Sequence, residues 1–244
     1  MSNQPLGGKS ALVTGGARRV GRGIALALAE AGADVALTYR TSRAEAVETA
    51  RMIENLGRRA LAVECDVRSE DSVRAAVAAA VSRFGRLDLL VNNAAVFESA
   101  PLDSLTLEQW DAVFETNARG PFMVAREALE HLRAVEGRIV NIGSLGGMKA
   151  WADHAHYCAS KAALHMLTQA MAKAFAPQVS VNCVAPGYID IDGNTAGSAE
   201  HFAAKTPMRR NGSVDDVAQA VLFFAAGPHF VTGQVLAVDG GLGL

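Results

Sequence analysis

The stretch "VTGGARRVGRGIA", residues 13–25, joins a short apolar run to an alanine-rich helical pattern through a turn dense in glycine. Gly15 and Gly16 follow the apolar run, and Gly21 and Gly23 fall in the first turns of the helical pattern. Glycines at a strand-to-helix turn allow a tight bend and bring backbone amides close to a phosphate, where the helix N-terminus favours negative charge. The same turn carries Arg18 and Arg19 side by side. Alone, it reads equally well as an ordinary glycine-rich turn, so its meaning depends on the rest of the chain.

Working outward, apolar runs at 10–14, 33–39, 59–64, 87–93, 137–143, 178–186 and 233–241 are rich in Val, Leu and Ile and barely alternate. That is the pattern of strands buried on both faces of a parallel sheet. Helical patterns fill 20–31, 43–56, 70–83, 106–132, 156–175 and 214–226. Gly32, Gly57, Gly85 and Gly137 follow four of them, where a left-handed C-terminal residue is wanted. Alternation through the whole chain predicts an α/β fold: one doubly wound, Rossmann-type domain over 1–244, a seven-stranded parallel sheet with helices on both faces. The least regular segment, 188–212, follows a strand and is expected to form a substrate lid.

Composition narrows the function. Half of the 244 residues are hydrophobic and a fifth charged, as in a soluble globular protein with a large core. A net charge of −2 gives no basic footprint for nucleic acid. Cys65, Cys158 and Cys183 are far apart and form no CxxC pair, so neither a disulfide framework nor a zinc site is indicated; buried, reduced thiols are expected. The first residues lack a charged n-region and an apolar h-region, and no apolar run is long enough to span a bilayer. The expectation is a cytoplasmic protein with a small-molecule substrate, no metal, and no nucleic-acid or membrane partner.

The end of the second predicted strand reads "VALTYRTSR". A carboxylate there would hold the 2′-hydroxyl of an NAD ribose, whereas a guanidinium accommodates a 2′-phosphate. No acid stands at Tyr39 or Arg40, and Thr41, Ser42 and Arg43 follow. With Arg18 arriving from the first loop, two cations flank the position of one phosphate, which selects NADP(H) over NAD(H).

Tyr157 and Lys161, in "HYCASKAAL", are four residues apart and share one face of a helix. A phenol with an ordinary pKa near 10 is a poor acid–base group at neutral pH, and a nearby ammonium is expected to lower it. Ser144 stands thirteen residues before Tyr157, just after a predicted strand, where its hydroxyl can meet the same carbonyl oxygen. Asn117 is a polar residue within the helical pattern 106–132. A lone Tyr-x-x-x-Lys is more often a surface pair; here it is the order of loop, basic patch, Asn, Ser and Tyr-x-x-x-Lys along one α/β chain that argues for a site.

On these stretches, together with "CDV" at 65–67, "NNAA" at 92–95, "APG" at 185–187 and "TGQVLAVDGG" at 232–241, the sequence resembles the short-chain dehydrogenase/reductase family over essentially its full length. The resemblance implies that Tyr157 is the general acid and that Lys161 binds the nicotinamide ribose. It implies that Ser144 orients the carbonyl and that Asn117 holds a water linking Lys161 to solvent. Gly15, Arg18, Arg19, Val20 and Gly21 of the loop, and Tyr39, Arg40, Thr41 and Ser42 of the strand end, become cofactor contacts. Asp66 and Val67 are implied at the adenine, Asn93 and Ala94 along the cleft, and Pro186, Gly187 and Ile189 beside the nicotinamide. A homotetramer is the family's common assembly.

The chain departs from the family pattern twice. Arg19 replaces the middle loop glycine, and Ile191 stands where a threonine would bond the carboxamide. Arginine at that loop position is similar to the pteridine reductase branch, although that branch often carries aspartate in place of Ser144. The C-terminal "FVTGQVLAVDGGL" is equally similar to 3-oxoacyl-ACP reductases. The implied activity is NADPH-dependent reduction of a C=O or C=N bond, with a 3-oxoacyl thioester, a pterin or another small carbonyl as substrate. The reading outside this class is a non-catalytic NADP(H) sensor. His154 and His156 read as solvated residues before a helix, and Trp151 as either a wall of the cleft or a stacking platform.

Overall fold

The computed structural model describes residues 4–191 and 198–244. Seven strands, β1 (Ser10–Val13), β2 (Asp34–Tyr39), β3 (Ala60–Glu64), β4 (Leu89–Asn92), β5 (Arg138–Ile142), β6 (Ser180–Pro186) and β7 (Val235–Val238), pair in the order β3-β2-β1-β4-β5-β6-β7. All six pairings are parallel. Each strand lies inside one of the predicted runs, and the central β1 and β4 are buried at every position, which explains the missing alternation.

Alternate strand residues serve two cores. Ala11 and Val13 pack with α1 (Arg19–Glu30), α2 (Arg43–Asn55) and α8 (Val214–Ala226), whereas Leu12 faces α3 (Glu70–Phe84), α5 (Gly120–Arg133) and α6 (Ala155–Phe175). The strand order reverses between β1 and β4, so the loops at their C-terminal ends diverge and open a crevice at that edge.

Three local expectations need correction. Gly32, Gly57 and Gly85 adopt positive φ, but after α5 the left-handed residue is Glu136 (φ 52) rather than Gly137. Gly137 is needed for space: a Cβ there would lie 2.8 Å from Leu132 Cδ2 and 2.9 Å from the Asp88 carbonyl oxygen. The pattern 106–132 is not one helix. It divides into α4 (Leu107–Phe114), a π turn (Glu115–Arg119) and α5. The expected lid contains a further helix, α7 (Ser198–Lys205), whose short amphipathic pattern the surrounding glycines and polar residues conceal. At the base of that segment, the Asp190 amide donates to the Gly212 carbonyl at 2.8 Å and the Gly212 amide to the Tyr188 carbonyl at 3.0 Å, tying its two ends together. Residues 192–197 of the lid lie outside the described residues.

Candidate active site

A cleft of about 1020 Å³ follows the C-terminal ends of the strands. Its floor at one end is the turn from β1 into α1. Gly15 has φ 63, and a Cβ on Gly21 would run into the Gly15 carbonyl, so both glycines are required by the loop itself. Gly23 makes room for Val214 of α8. Asn93 braces the loop: its Nδ2 donates to the carbonyls of Thr14 at 2.9 Å and Gly15 at 3.0 Å. Thr14 Oγ1 in turn accepts from the amides of Asn93 and Ala94, which fixes the end of β1 to the end of β4. Arg19 keeps the backbone shape of the glycine it replaces, with φ 52.

All the residues expected at the cofactor line this one cleft. Gly15, Arg18, Arg19, Val20 and Gly21 form the loop, and Tyr39, Arg40, Thr41 and Ser42 the end of β2. Asp66 and Val67 follow β3, Asn93 and Ala94 follow β4, and Pro186, Gly187 and Ile189 follow or end β6. The lining is strongly cationic, with Arg18, Arg19, Arg40, Lys149, Lys161 and Lys205. Asp66 is the one carboxylate among the described lining residues, and it is committed to Arg68, whose Nη2 donates to it at 2.6 Å. That bond, helped by the Arg68 amide and by the charges of Arg68 and Arg40, holds the Asp66 carboxyl down at about 2. An open helix N-terminus with no side-chain cap, a cradle that Cβ atoms would fill, and cations outnumbering acids suit a long polyanionic ligand.

At the other end, Ser144 follows β5 while Tyr157 and Lys161 project from one face of α6. The Ser144 hydroxyl accepts from the Gly146 amide at 3.0 Å, and its interaction with the Tyr157 phenol favours the phenolate. Lys161 is buried; its Nζ donates to the Ile142 carbonyl at 2.8 Å and lies 5.8 Å from the centre of the Tyr157 ring. Burial brings the Lys161 ammonium down to about 8. The Tyr157 phenol moves upward, contrary to the expected lowering by Lys161. Burial dominates, and Ser144 only partly opposes it.

Asn117 stands behind the cleft wall rather than in it. In the π turn its Oδ1 accepts from the Val96 amide at 2.8 Å, and its Nδ2 donates to the Val96 carbonyl at 2.9 Å and to Ser160 Oγ at 3.1 Å. Ser160 donates to the Tyr157 carbonyl at 2.7 Å, so Asn117 is linked to the backbone of the helix that carries Tyr157. Both Nδ2 hydrogens and one acceptor site of Oδ1 are used by protein groups. Insertion of a π turn in a helix is a common device at functional sites.

Sequence reasoning missed or misread several neighbours. His156 is fully buried, not solvated, and neither ring nitrogen has a partner among the described residues. His154 is half-buried and stacks on Phe97 with ring centres 4.6 Å apart. His165, one turn beyond Lys161 on α6, accepts from the Ser144 amide at Nε2, 3.4 Å away. Gly143 and Gly147 leave the space it fills, since a Cβ on either would meet the imidazole. Burial and the Lys161 charge bring His165 down to about 4, so it is neutral at physiological pH. The i, i+4 spacing from Lys161 was the available signal. Phe97 and Phe202 also line the cleft, the former five residues past β4.

Among the described residues no helix is long and apolar enough to cross a membrane, and all three cysteines are free and buried. A family model described as enoyl-(acyl carrier protein) reductase matches residues 15–243. The 3-oxoacyl-(acyl-carrier-protein) reductase FabG of Staphylococcus aureus is 38% identical over 240 residues, covering 96% of this chain and 98% of that protein. A short chain dehydrogenase of Burkholderia cenocepacia solved in complex with NADP is 41% identical, with a TM-score of 0.92 over 98% of this chain and 100% of that one. A blue fluorescent protein from a metagenomic library, solved with NADPH, is 38% identical, with a TM-score of 0.90 over 98% of this chain and 99% of that one. Sequence, fold and site geometry agree: the chain belongs to the short-chain dehydrogenase/reductase family.

Proposed function

We propose that the protein is an NADP(H)-dependent oxidoreductase that reduces a carbonyl group of a small substrate, with Tyr157 as general acid. The observation that carries this reading is the meeting of Ser144, Tyr157 and Lys161 at one end of a cleft whose other end presents the glycine loop with Arg18 and Arg40. Arg18 and Arg40 suit a 2′-phosphate, and the relatives solved with NADP and NADPH support the same cofactor. The nicotinamide, when bound, supplies the hydride.

The chain's own residues then manage one proton. Ser144, already accepting from Gly146, is left with its hydroxyl hydrogen to donate to the substrate oxygen. Tyr157, held protonated at neutral pH by burial, donates its proton to that oxygen as negative charge develops on it. One Lys161 hydrogen is used on Ile142, and the remaining two are available to a ribose and to the phenolate that proton transfer leaves. Since the Asn117 side chain is committed to Val96 and Ser160, a relay water would meet the main chain of the π turn instead. Its contribution is to fix the helix backbone at Tyr157.

The similarity to FabG makes 3-oxoacyl thioesters the first substrates to test, with pterins the alternative raised by Arg19. An NADPH-oxidation screen with acetoacetyl thioester, dihydrobiopterin and simple diketones, run in parallel with NADH, tests the reading. It predicts turnover of a carbonyl with NADPH preferred; a preference for NADH contradicts the assignment of Arg18 and Arg40. The homotetramer common in the family is supported by apolar side chains left open near the sheet edge, namely Phe223, Phe230 and Leu236. Sedimentation analysis tests it.

A further inference from the structure

The substrate end of the cleft has aromatic walls contributed by separate parts of the chain. On one side stand Phe97, from the loop after β4, and Trp151 and His154, from the turn before α6. Tyr188 and Phe202 also line the cleft and stack with ring centres 4.5 Å apart. Tyr157 lies within the first group: the Phe97 ring meets it edge-on at 4.8 Å, and the Trp151 ring runs nearly parallel to it, 11° apart in plane with centres 6.2 Å apart. The indole is seated deliberately, since a Cβ on Gly146 would come within 3.0 Å of it. Phe97 is 62% exposed although its ring is held by both His154 and Tyr157. A large apolar ring fixed open beside a reactive hydroxyl is a surface for a ligand.

We infer that this end of the cleft selects a planar aromatic ketone, whose ring lies against Phe97 and Trp151 while its carbonyl meets Tyr157 and Ser144. The inference rests on the reductase reading and supplies its substrate class. Three physical reasons favour a ring over an acyl chain. Ring faces and edges match those of the wall, where each aromatic pair adds affinity beyond area burial. A ring conjugated with the carbonyl is rigid and loses little rotational freedom on binding, whereas an acyl thioester must immobilise several bonds. Both wall rings also contact Tyr157 itself, with centres 4.8 and 6.2 Å away, so a ring attached to the carbonyl stands next to each.

The test compares three carbonyl substrates: 1-phenyl-1-propanone, its saturated counterpart 1-cyclohexyl-1-propanone, and an acetoacetyl thioester. Each is measured with NADPH on the wild type, Phe97→Leu and Trp151→Leu. Because intrinsic reactivity cancels between proteins, the readout is the phenyl-to-cyclohexyl ratio of kcat/KM. That ratio is expected to fall about tenfold in either variant, through KM, with NADPH affinity retained. In the wild type the phenyl ketone is expected to outperform the thioester. Trp151→Phe, which keeps a ring on the wall, is expected to retain most of the preference. A ratio unmoved by both leucine variants, or a wild-type preference for the thioester, overturns the inference and leaves the reductase reading standing. No turnover of any carbonyl by enzyme that binds NADPH overturns both.

Discussion

Lys161 donates to the main-chain carbonyl of Ile142 at 2.8 Å, so the buried ammonium on α6 is tethered to the last residue of strand β5. The sheet thereby sets the position of the charge that faces Tyr157. With the lysine brought down to about 8, its proton is lost within the range open to assay. The rate of carbonyl reduction is therefore expected to fall above about pH 8, and Lys161→Met to lower kcat by roughly 10²-fold or more. The reverse, oxidative reaction needs the phenolate, and the upward position of Tyr157 shifts it to alkaline pH. Steady-state pH profiles in both directions check this.

The same lysine has a stability signature. Between about pH 8 and its ordinary value of 10.5, the unfolded chain binds the Lys161 proton while the folded chain does not. Stability therefore gains a contribution that rises with pH across that window. Cys183, pushed up to about 12 by burial, acts in the opposite direction. The prediction thus concerns the difference between the wild type and Lys161→Met in urea midpoints at pH 8 and pH 10. The variant should lose the upward contribution.

Arg19 occupies a left-handed backbone position that glycine adopts without strain. Arg19→Gly is expected to stabilise the fold by about 1 kcal/mol, as read by denaturant unfolding. It is also expected to weaken NADPH binding, because a cation leaves the lining of the cleft. A less stable variant with unchanged NADPH affinity would show that the side chain serves packing alone.

His165 holds the Ser144 amide from behind the site. His165→Leu removes the acceptor and leaves a buried N–H unpaired, at a cost of about 1–3 kcal/mol. It is expected to lower kcat more than it raises KM, with His165→Gln retaining part of the rate. The histidine also predicts acid sensitivity. From its ordinary value near 6.5 down to about 4, the unfolded chain takes a proton that the folded site refuses. Stability should fall with pH over that window, and less steeply in His165→Leu.

The parts of this molecule legible in sequence are those set by local rules. The two-sided strands announce themselves as unbroken apolar runs, and Gly32, Gly57 and Gly85 mark helix ends because backbone sterics demand them. That the loop glycines Gly15 and Gly21, Ser144, Tyr157 and Lys161 meet in one cleft was readable because their spacing on defined elements fixes where they are placed. Glu136 was not, because the space demanded by Asp88 and Leu132 places a glycine one residue later. The π turn at Asn117 was hidden for a similar reason, since bonds to Val96 and Ser160, distant in sequence, hold it. His156 and the upward position of Tyr157 depend on burial by the assembled fold, which no window of sequence contains.

The most direct test of the central claim is Tyr157→Phe, assayed for NADPH oxidation with a turned-over carbonyl and for NADPH binding by fluorescence. The variant keeps the ring and its stacking while removing only the hydroxyl. The predicted result is NADPH affinity close to wild type with the rate of oxidation lowered by at least about 10²-fold. Retention of wild-type turnover would contradict the assignment of Tyr157 as the proton donor.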